Sequence, residues 1–114
     1  MISKINRFHG LGSLNYAYRK GRTIRGQYFG IKTIKNRKDA YRVAVVVSKK
    51  VAKSAPKRNR IRRRVYEAVR LTAPKHLTNQ DVIINIYDDK FLELPFNEIV
   101  SSLDSQLKEV TLGR

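Results

Sequence analysis

Residues 42–87 read RVAVVVSKKVAKSAPKRNRIRRRVYEAVRLTAPKHLTNQDVIINIY. Two short apolar runs bracket a long basic segment. Val43 to Val47 are unbroken apolar residues within Arg42–Ser48, which predicts a central strand covered on both faces. Asp81–Tyr87 is a second apolar strand, rich in β-branched residues. Between them Ile61, Val65, Ala68 and Val69 fall at i, i+4, i+7 and i+8. That spacing puts them on one face of a helix running from about Arg58 to Thr72, closed by Pro74. Lys49–Lys57 reads as a basic connection interrupted by Pro56. The strand–helix–strand unit could be a crossover joining parallel strands, which is normally right-handed.

Working outward, Ser13 can cap a short helix ending near Lys20, with Leu11, Leu14 and Tyr18 on one face and Gly21 at its end. A strand is expected over Gln27–Lys35. There Phe29, Ile31 and Thr33 point one way, and Tyr28, Gly30 and Lys32 the other. Asn36–Asp39 reads as a turn, as does Asp88–Lys90. Pro95 suits the first turn of a last helix, where Phe96, Ile99, Val100, Leu103, Leu107 and Val110 form one apolar stripe. The order is helix, strands, helix, strand, helix. It predicts an α+β sandwich, with residues 1–114 forming a single domain.

The net charge of +16 is far more than solubility requires of a small domain, and it is unevenly spread. Residues 1–75 hold 22 Lys and Arg against two acids, Asp39 and Glu67; residues 76–114 hold three bases against seven acids. Such asymmetry fits a binding surface for an anionic partner, built from the first two thirds of the chain. The absence of cysteine excludes disulfides and thiolate metal sites. Met1 to Gly12 contains no apolar run fit for a signal peptide, and no apolar run could span a bilayer. The expectation is a cytoplasmic protein with no membrane partner.

Lys57–Arg64 carries six cations in eight residues. At 100° per residue, Asn59, Arg63, Tyr66 and Arg70 cluster opposite the apolar stripe. Arg60, Arg64 and Glu67 lie beside that cluster, and Arg62 lies on its other flank. Left bare, these charges would oppose helix formation; phosphates would neutralise them through paired hydrogen bonds. An isolated charge run is as often a solvated face. A membrane-surface or calmodulin-type helix would want larger apolar residues on its other side.

The chain lacks the parts of a protein nuclease. Its basic half has only Asp39 and Glu67, and Asp88 and Asp89 suit a solvated turn. His9 and His76 have no partners at metal-ligand spacing. No metal and no cofactor are expected in the chain itself.

The run R-N-R-I-R-R at Arg58–Arg63 resembles the signature of the bacterial ribonuclease P protein, approximately R-N-R-I/V-K-R. Val47-Ser48-Lys49-Lys50-Val51 resembles its V-S-K-K stretch. Tyr18-Arg19-Lys20-Gly21 and the later Phe29 resemble its helix-Gly-strand segment. The likeness covers roughly residues 5–110. It implies an α+β sandwich with a left-handed crossover, a fold shared with a domain of a small-subunit ribosomal protein. It implies a catalytic RNA as partner, contacted by Arg58, Asn59, Arg60, Arg62 and Arg63, with Lys49 and Lys50 extending the surface. Lys57, Tyr66 and Arg70 join this set by their place on the helix. It also implies a cleft for the single-stranded 5′ leader of precursor tRNA, at Leu14, Tyr18, Gly30 and Lys32. In the family, catalysis belongs to the RNA subunit, whose Mg²⁺ the holoenzyme requires, and no obligate protein partner is implied. Family members often carry aromatics where Leu14 and Lys32 stand, so Tyr18 is the main stacking candidate. The stretch Val51–Lys57 departs from the family's pattern and includes Pro56.

Two other readings stay open on the residues alone. One is a structural RNA-binding protein of ribosomal type, although the chain has no long basic tail. The other is a DNA-binding domain, which would need a base-reading helix, usually in a dimer.

Overall fold

The computed structural model describes residue 6, residues 11–37 and residues 40–112, without the side chains of residues 11–14 and 111–112. His9, Lys38 and Asp39, and with them part of the expected Asn36–Asp39 turn, lie outside the described residues, as does the side chain of Leu14. The elements in order are α1 (Leu11–Lys20), β1 (Arg22–Arg25), β2 (Phe29–Lys35), β3 (Arg42–Val47), α2 (Ala55–His76), β4 (Gln80–Ile86), a 3-10 turn (Asp89–Leu92) and α3 (Phe96–Leu112). This is the expected α+β architecture: three helices on a four-stranded sheet of order β1-β2-β4-β3.

The alternation read in β2 holds from Phe29 on, but Tyr28, expected to face away with Gly30 and Lys32, precedes the strand and packs against the main core, its ring 6.0 Å from that of Phe91. Phe29 and Ile31 join the main core together with Val43, Val45 and Val47 from β3 and Val82, Ile84 and Ile86 from β4. Helices α2 and α3 cover that face, with Ile61, Val65, Ala68 and Val69 from one and Ile99, Leu103, Leu107 and Val110 from the other. Helix α1 lies on the opposite face, where Ala17 packs with Ala44 and Ile83. Ile34 and Val46 pack at the edge of this smaller cluster.

Several boundaries differ from expectation. The strand expected from Gln27 is a hairpin: β1 pairs antiparallel with β2, Arg25 opposite Gly30. β1 escaped notice because it is a mostly exposed edge strand with only Ile24 half-buried. β3 pairs parallel with β4, as the crossover reading required. It is an edge strand, however, and not the central one. The apolar run reports covered faces, α2 on one and α1 on the other, and says nothing of neighbours in the sheet.

α1 starts two residues before Ser13, which therefore lies inside the helix and is not its cap. It does end at Gly21, whose N–H donates to the Ala17 carbonyl at 2.8 Å. A Cβ at Gly21 would sit 2.5 Å from that carbonyl oxygen and 2.9 Å from the Thr33 carbonyl oxygen, so only glycine lets the helix end lie this close to β2.

α2 extends past both expected ends. Ser54 is the cap, accepting from the Lys57 N–H, and Pro56 falls in the first turn, where a missing N–H removes no bond. Pro74 sits within the last turn and does not stop the helix, which runs to His76. His76 Nε2 lies 2.8 Å from Asp104 Oδ1, tying the end of α2 to α3. Asp88 caps the 3-10 turn by accepting from the Lys90 N–H at 3.0 Å, so the expected solvated turn is a capped helical one.

Two charged residues hold the frame. Arg42 grips Asp81 across the β3–β4 pair, with Nε 2.7 Å from Oδ1, and Asn36 Nδ2 donates to the same oxygen at 2.8 Å. Arg64 donates to the carbonyls of Phe91 and Leu94 and fastens the segment before α3 onto α2. Phe91 then reaches the core, edge-on to Phe29 with ring centroids 5.8 Å apart.

These roles separate in unfolding experiments. Asp81→Ala removes the carboxylate that Arg42 and Asn36 share and is expected to lower stability by about 3 kcal/mol in urea. Arg64→Ala orphans two carbonyls and should lower it by about 1–3 kcal/mol. Arg63→Ala should stay within about 0.5 kcal/mol of the parent. Equal midpoints for all three would contradict these assignments.

Candidate nucleic-acid interface

The apolar stripe of α2 is pinned to the sheet, so the rest of the helix circumference must face outward or sideways. Asn59, Arg60, Arg63 and Arg70 are exposed, and so is Lys57 in the first turn. Among the described residues neither Arg60 nor Arg63 has a hydrogen-bonding or ion-pair partner. Arg70 is held by Glu67 at 3.1 Å, an exposed pair that neutralises part of its charge. Arg62 donates to the Asn59 side-chain oxygen.

Three residues of the basic helix are engaged by the protein's own backbone. Tyr66 is half-buried beside β3, and its hydroxyl accepts from the Val45 N–H at 3.2 Å. It covers a backbone group on the open edge of the sheet. Arg58 turns back to the Ala52 and Lys53 carbonyls, at 3.0 and 2.8 Å, and braces the connection ahead of the helix. Arg64 is the clamp already described.

The cations are densest near the start of α2. That helix has no acidic residue in its first turn, where Lys57 and Arg58 add to the positive end of the helix dipole. Lys49 and Lys50 are exposed in the turn just after β3. The combination disfavours the free state and favours a bound polyanion.

On the other face of the sheet, the structure brings Tyr18, a half-buried Lys32 and a buried Gly30 to one side. Tyr18 is exposed and donates its hydroxyl to Asn85 Oδ1 at 3.0 Å. Asn85 lies directly opposite Gly30 in the β2–β4 ladder. Burial pushes the Tyr18 hydroxyl above the ordinary tyrosine pKa, and the Asn85 amide opposes that rise. A Cβ at Gly30 would stand 1.9 Å from the Tyr87 hydroxyl, so the glycine makes room for that ring. Lys32 extends across to β1, its ammonium 2.8 Å from Thr23 Oγ1.

Sequence reasoning missed Asn85 and Tyr87. Reading Asp81–Tyr87 as an apolar strand does not single out Asn85. Only the β2–β4 register shows that it faces the same way as Gly30.

The register also relates the two regions. β3 and β4 are parallel and end together, Val47 beside Ile86. Lys49 and Lys50 therefore follow β3 at the end of the sheet where Tyr87 follows β4. Gly30, near the start of the antiparallel β2, is at that end too. A basic band can thus run from the Tyr18 surface past the Lys49–Lys50 turn to α2.

Among the described residues no group of three His, Cys, Asp or Glu could hold a metal ion, and no helix is long and apolar enough to cross a membrane.

A family model described as Ribonuclease P matches residues 3–111. Proteins named ribonuclease P protein component are similar along most of their length. The one from Clostridioides difficile is 32% identical over 111 residues, covering 95% of this chain and 96% of that one. The one from Chloroflexus aggregans is 28% identical, covering 97% and 82%. Among solved structures, an RNase P protein mutant from Staphylococcus aureus superposes with a TM-score of 0.81 at 26% identity, covering 95% of this chain and 90% of that one. The RNase P protein from Thermotoga maritima shares the fold at a TM-score of 0.82 and 23% identity, covering 90% and 96%. With a matching model over nearly all its residues, this chain belongs to the ribonuclease P protein family, whose members are RNA-binding proteins of tRNA processing.

Proposed function

We propose that this chain is the protein subunit of a ribonuclease P, binding the catalytic RNA through α2 and the 5′ leader of precursor tRNA on the Tyr18 face. The observation that carries the reading is the outward side of α2. Arg60 and Arg63 stand there without partners among the described residues, close to Lys57 and continuous with the Lys49–Lys50 turn. Cations that stabilise nothing in the fold are available to phosphate. Arg58, Arg62 and Asn59 support this face, Arg58 by bracing its entry. Arg70 adds a charge that Glu67 partly offsets. Tyr66 takes a supporting role behind the face.

The leader lies on the surface made by Tyr18, Gly30 and Lys32, with Asn85 and Tyr87 as further contacts. Leu14 belongs to the same helix, α1. Stacking on Tyr18 contributes on the order of 1–3 kcal/mol per base. The Lys32 ammonium, held near Thr23, supplies charge where other members carry an aromatic.

Catalysis is assigned to the RNA subunit and its Mg²⁺. What the protein supplies is positive potential. Two RNA strands brought together repel each other, and interposed guanidiniums reduce that repulsion within a Debye length of ~10 Å at 0.1 M salt. A complex with this screening needs less magnesium. The outcome is endonucleolytic removal of the leader to give the mature tRNA 5′ end.

The test is cleavage of a 5′-extended precursor tRNA by the cognate ribonuclease P RNA at low magnesium. Strong stimulation by the protein, with no cleavage by the protein alone, is the expected result. Tight RNA binding without stimulation would favour a structural RNA-binding role. Tyr18→Ala is expected to weaken holoenzyme affinity for leader-bearing tRNA by roughly 5- to 100-fold, from the loss of one stacked base. Mature tRNA should bind unchanged; equal losses for both would remove the leader from this surface.

A further inference from the structure

The apolar stripe expected on α3 begins with Phe96, yet this ring is 39% exposed, while Ile99, Leu103, Leu107 and Val110 are buried. Phe96 is also absent from the residues packed against the core. It lines a groove of about 530 Å³ between α2 and the start of α3, together with Arg60, Arg63, Arg64 and Glu67.

The groove is built rather than accidental. Arg64 spends its guanidinium on the Phe91 and Leu94 carbonyls and so sets Pro95 and Phe96 beside α2. Glu67 is bonded to Arg70 at the groove's outer wall. The lining carries three guanidiniums against one carboxylate, and among the described residues nothing occupies Arg60 or Arg63. An aromatic face next to two available guanidiniums matches the chemistry of a nucleotide: a flat base to stack, and phosphates to accept paired hydrogen bonds. A regular duplex buries its bases and offers nothing to the ring, so the occupant must be unpaired.

We propose that this groove is a site for one unpaired nucleotide of the catalytic RNA, its base stacked on Phe96 and its flanking phosphates on Arg60 and Arg63. The inference rests on the reading of α2 as the face for that RNA, and it makes part of the contact depend on the RNA's fold as well as its charge. The leader surface lies on the other face of the sheet, beneath α1, which favours the catalytic RNA over the leader as the source of the nucleotide.

The chain contains no tryptophan, so Phe96→Trp introduces a single reporter. On titration with the cognate ribonuclease P RNA its fluorescence should be quenched, with affinity close to the parent's. Phe96→Ala should bind that RNA roughly 5- to 100-fold more weakly. Its dependence on salt should be unchanged, because the ring carries no charge. A leader oligonucleotide alone should leave Phe96→Trp unquenched and quench Tyr18→Trp. If Phe96→Trp is silent and Phe96→Ala binds normally while Arg60→Ala is weakened, α2 binds RNA and the groove is empty, which overturns the inference alone. A response of Phe96→Trp to the leader and not to the catalytic RNA overturns it as well. Failure of the parent protein to bind the catalytic RNA removes both the reading and the inference.

Discussion

The structure turns on one tension in α2. Ile61, Val65, Ala68 and Val69 must be buried against the sheet and α3, and the same helix carries five arginines between Arg58 and Arg64. Burial of the stripe fixes the helix's rotation, so the cations cannot spread around it. Two solutions appear side by side. Some cations are satisfied by the protein: Arg58 and Arg64 each donate to two backbone carbonyls and stiffen the segments flanking the helix. Others, Arg60 and Arg63, are left for a partner. The fold gains rigidity from the first group and, on the proposed reading, affinity from the second.

The sheet allows the same chain to present a second surface. Its strands alternate apolar residues toward α2 and α3 with Gly30, Lys32 and Asn85 toward α1. Helix α1 packs there through Ala17 against Ala44 and Ile83, and leaves Tyr18 exposed beside Lys32 and Asn85, which are half-buried. Because β3 and β4 are parallel and end together, the Lys49–Lys50 turn sits at the end of this face and leads directly into α2.

The parts of this design that were legible in the sequence are those set by local periodicity. The alternation of β2, the buried runs of β3 and β4 and the stripe of α2 each follow from a residue's spacing to its own neighbours. What was not legible depends on partners distant in the chain. β1 has almost no apolar signal because it is an exposed edge. The position of β3 at the edge could not be read from its composition, since apolar residues record which faces are covered and not which strands adjoin. Tyr66 was placed with the outward residues by the helical wheel, but its hydroxyl reaches Val45, 21 residues away. Arg58 and Arg64 look like solvent-facing charges until the loops they bind are in place. Asn85 and Tyr87 needed the register of β4 against β2. The family resemblance named Tyr18, Gly30 and Lys32, and the structure gathers them on one face.

The account's central claim is that the unpartnered arginines of α2 are phosphate ligands for the catalytic RNA. The most direct measurement is the affinity of the protein for the cognate ribonuclease P RNA across a range of salt concentrations, with Arg60→Ala and Arg63→Ala beside the parent. Each lost phosphate contact should make the plot of log affinity against log salt shallower by about 0.7–0.9, with weaker binding at low salt. Slopes equal to the parent's in both variants would show that these side chains meet no phosphate and would contradict the account.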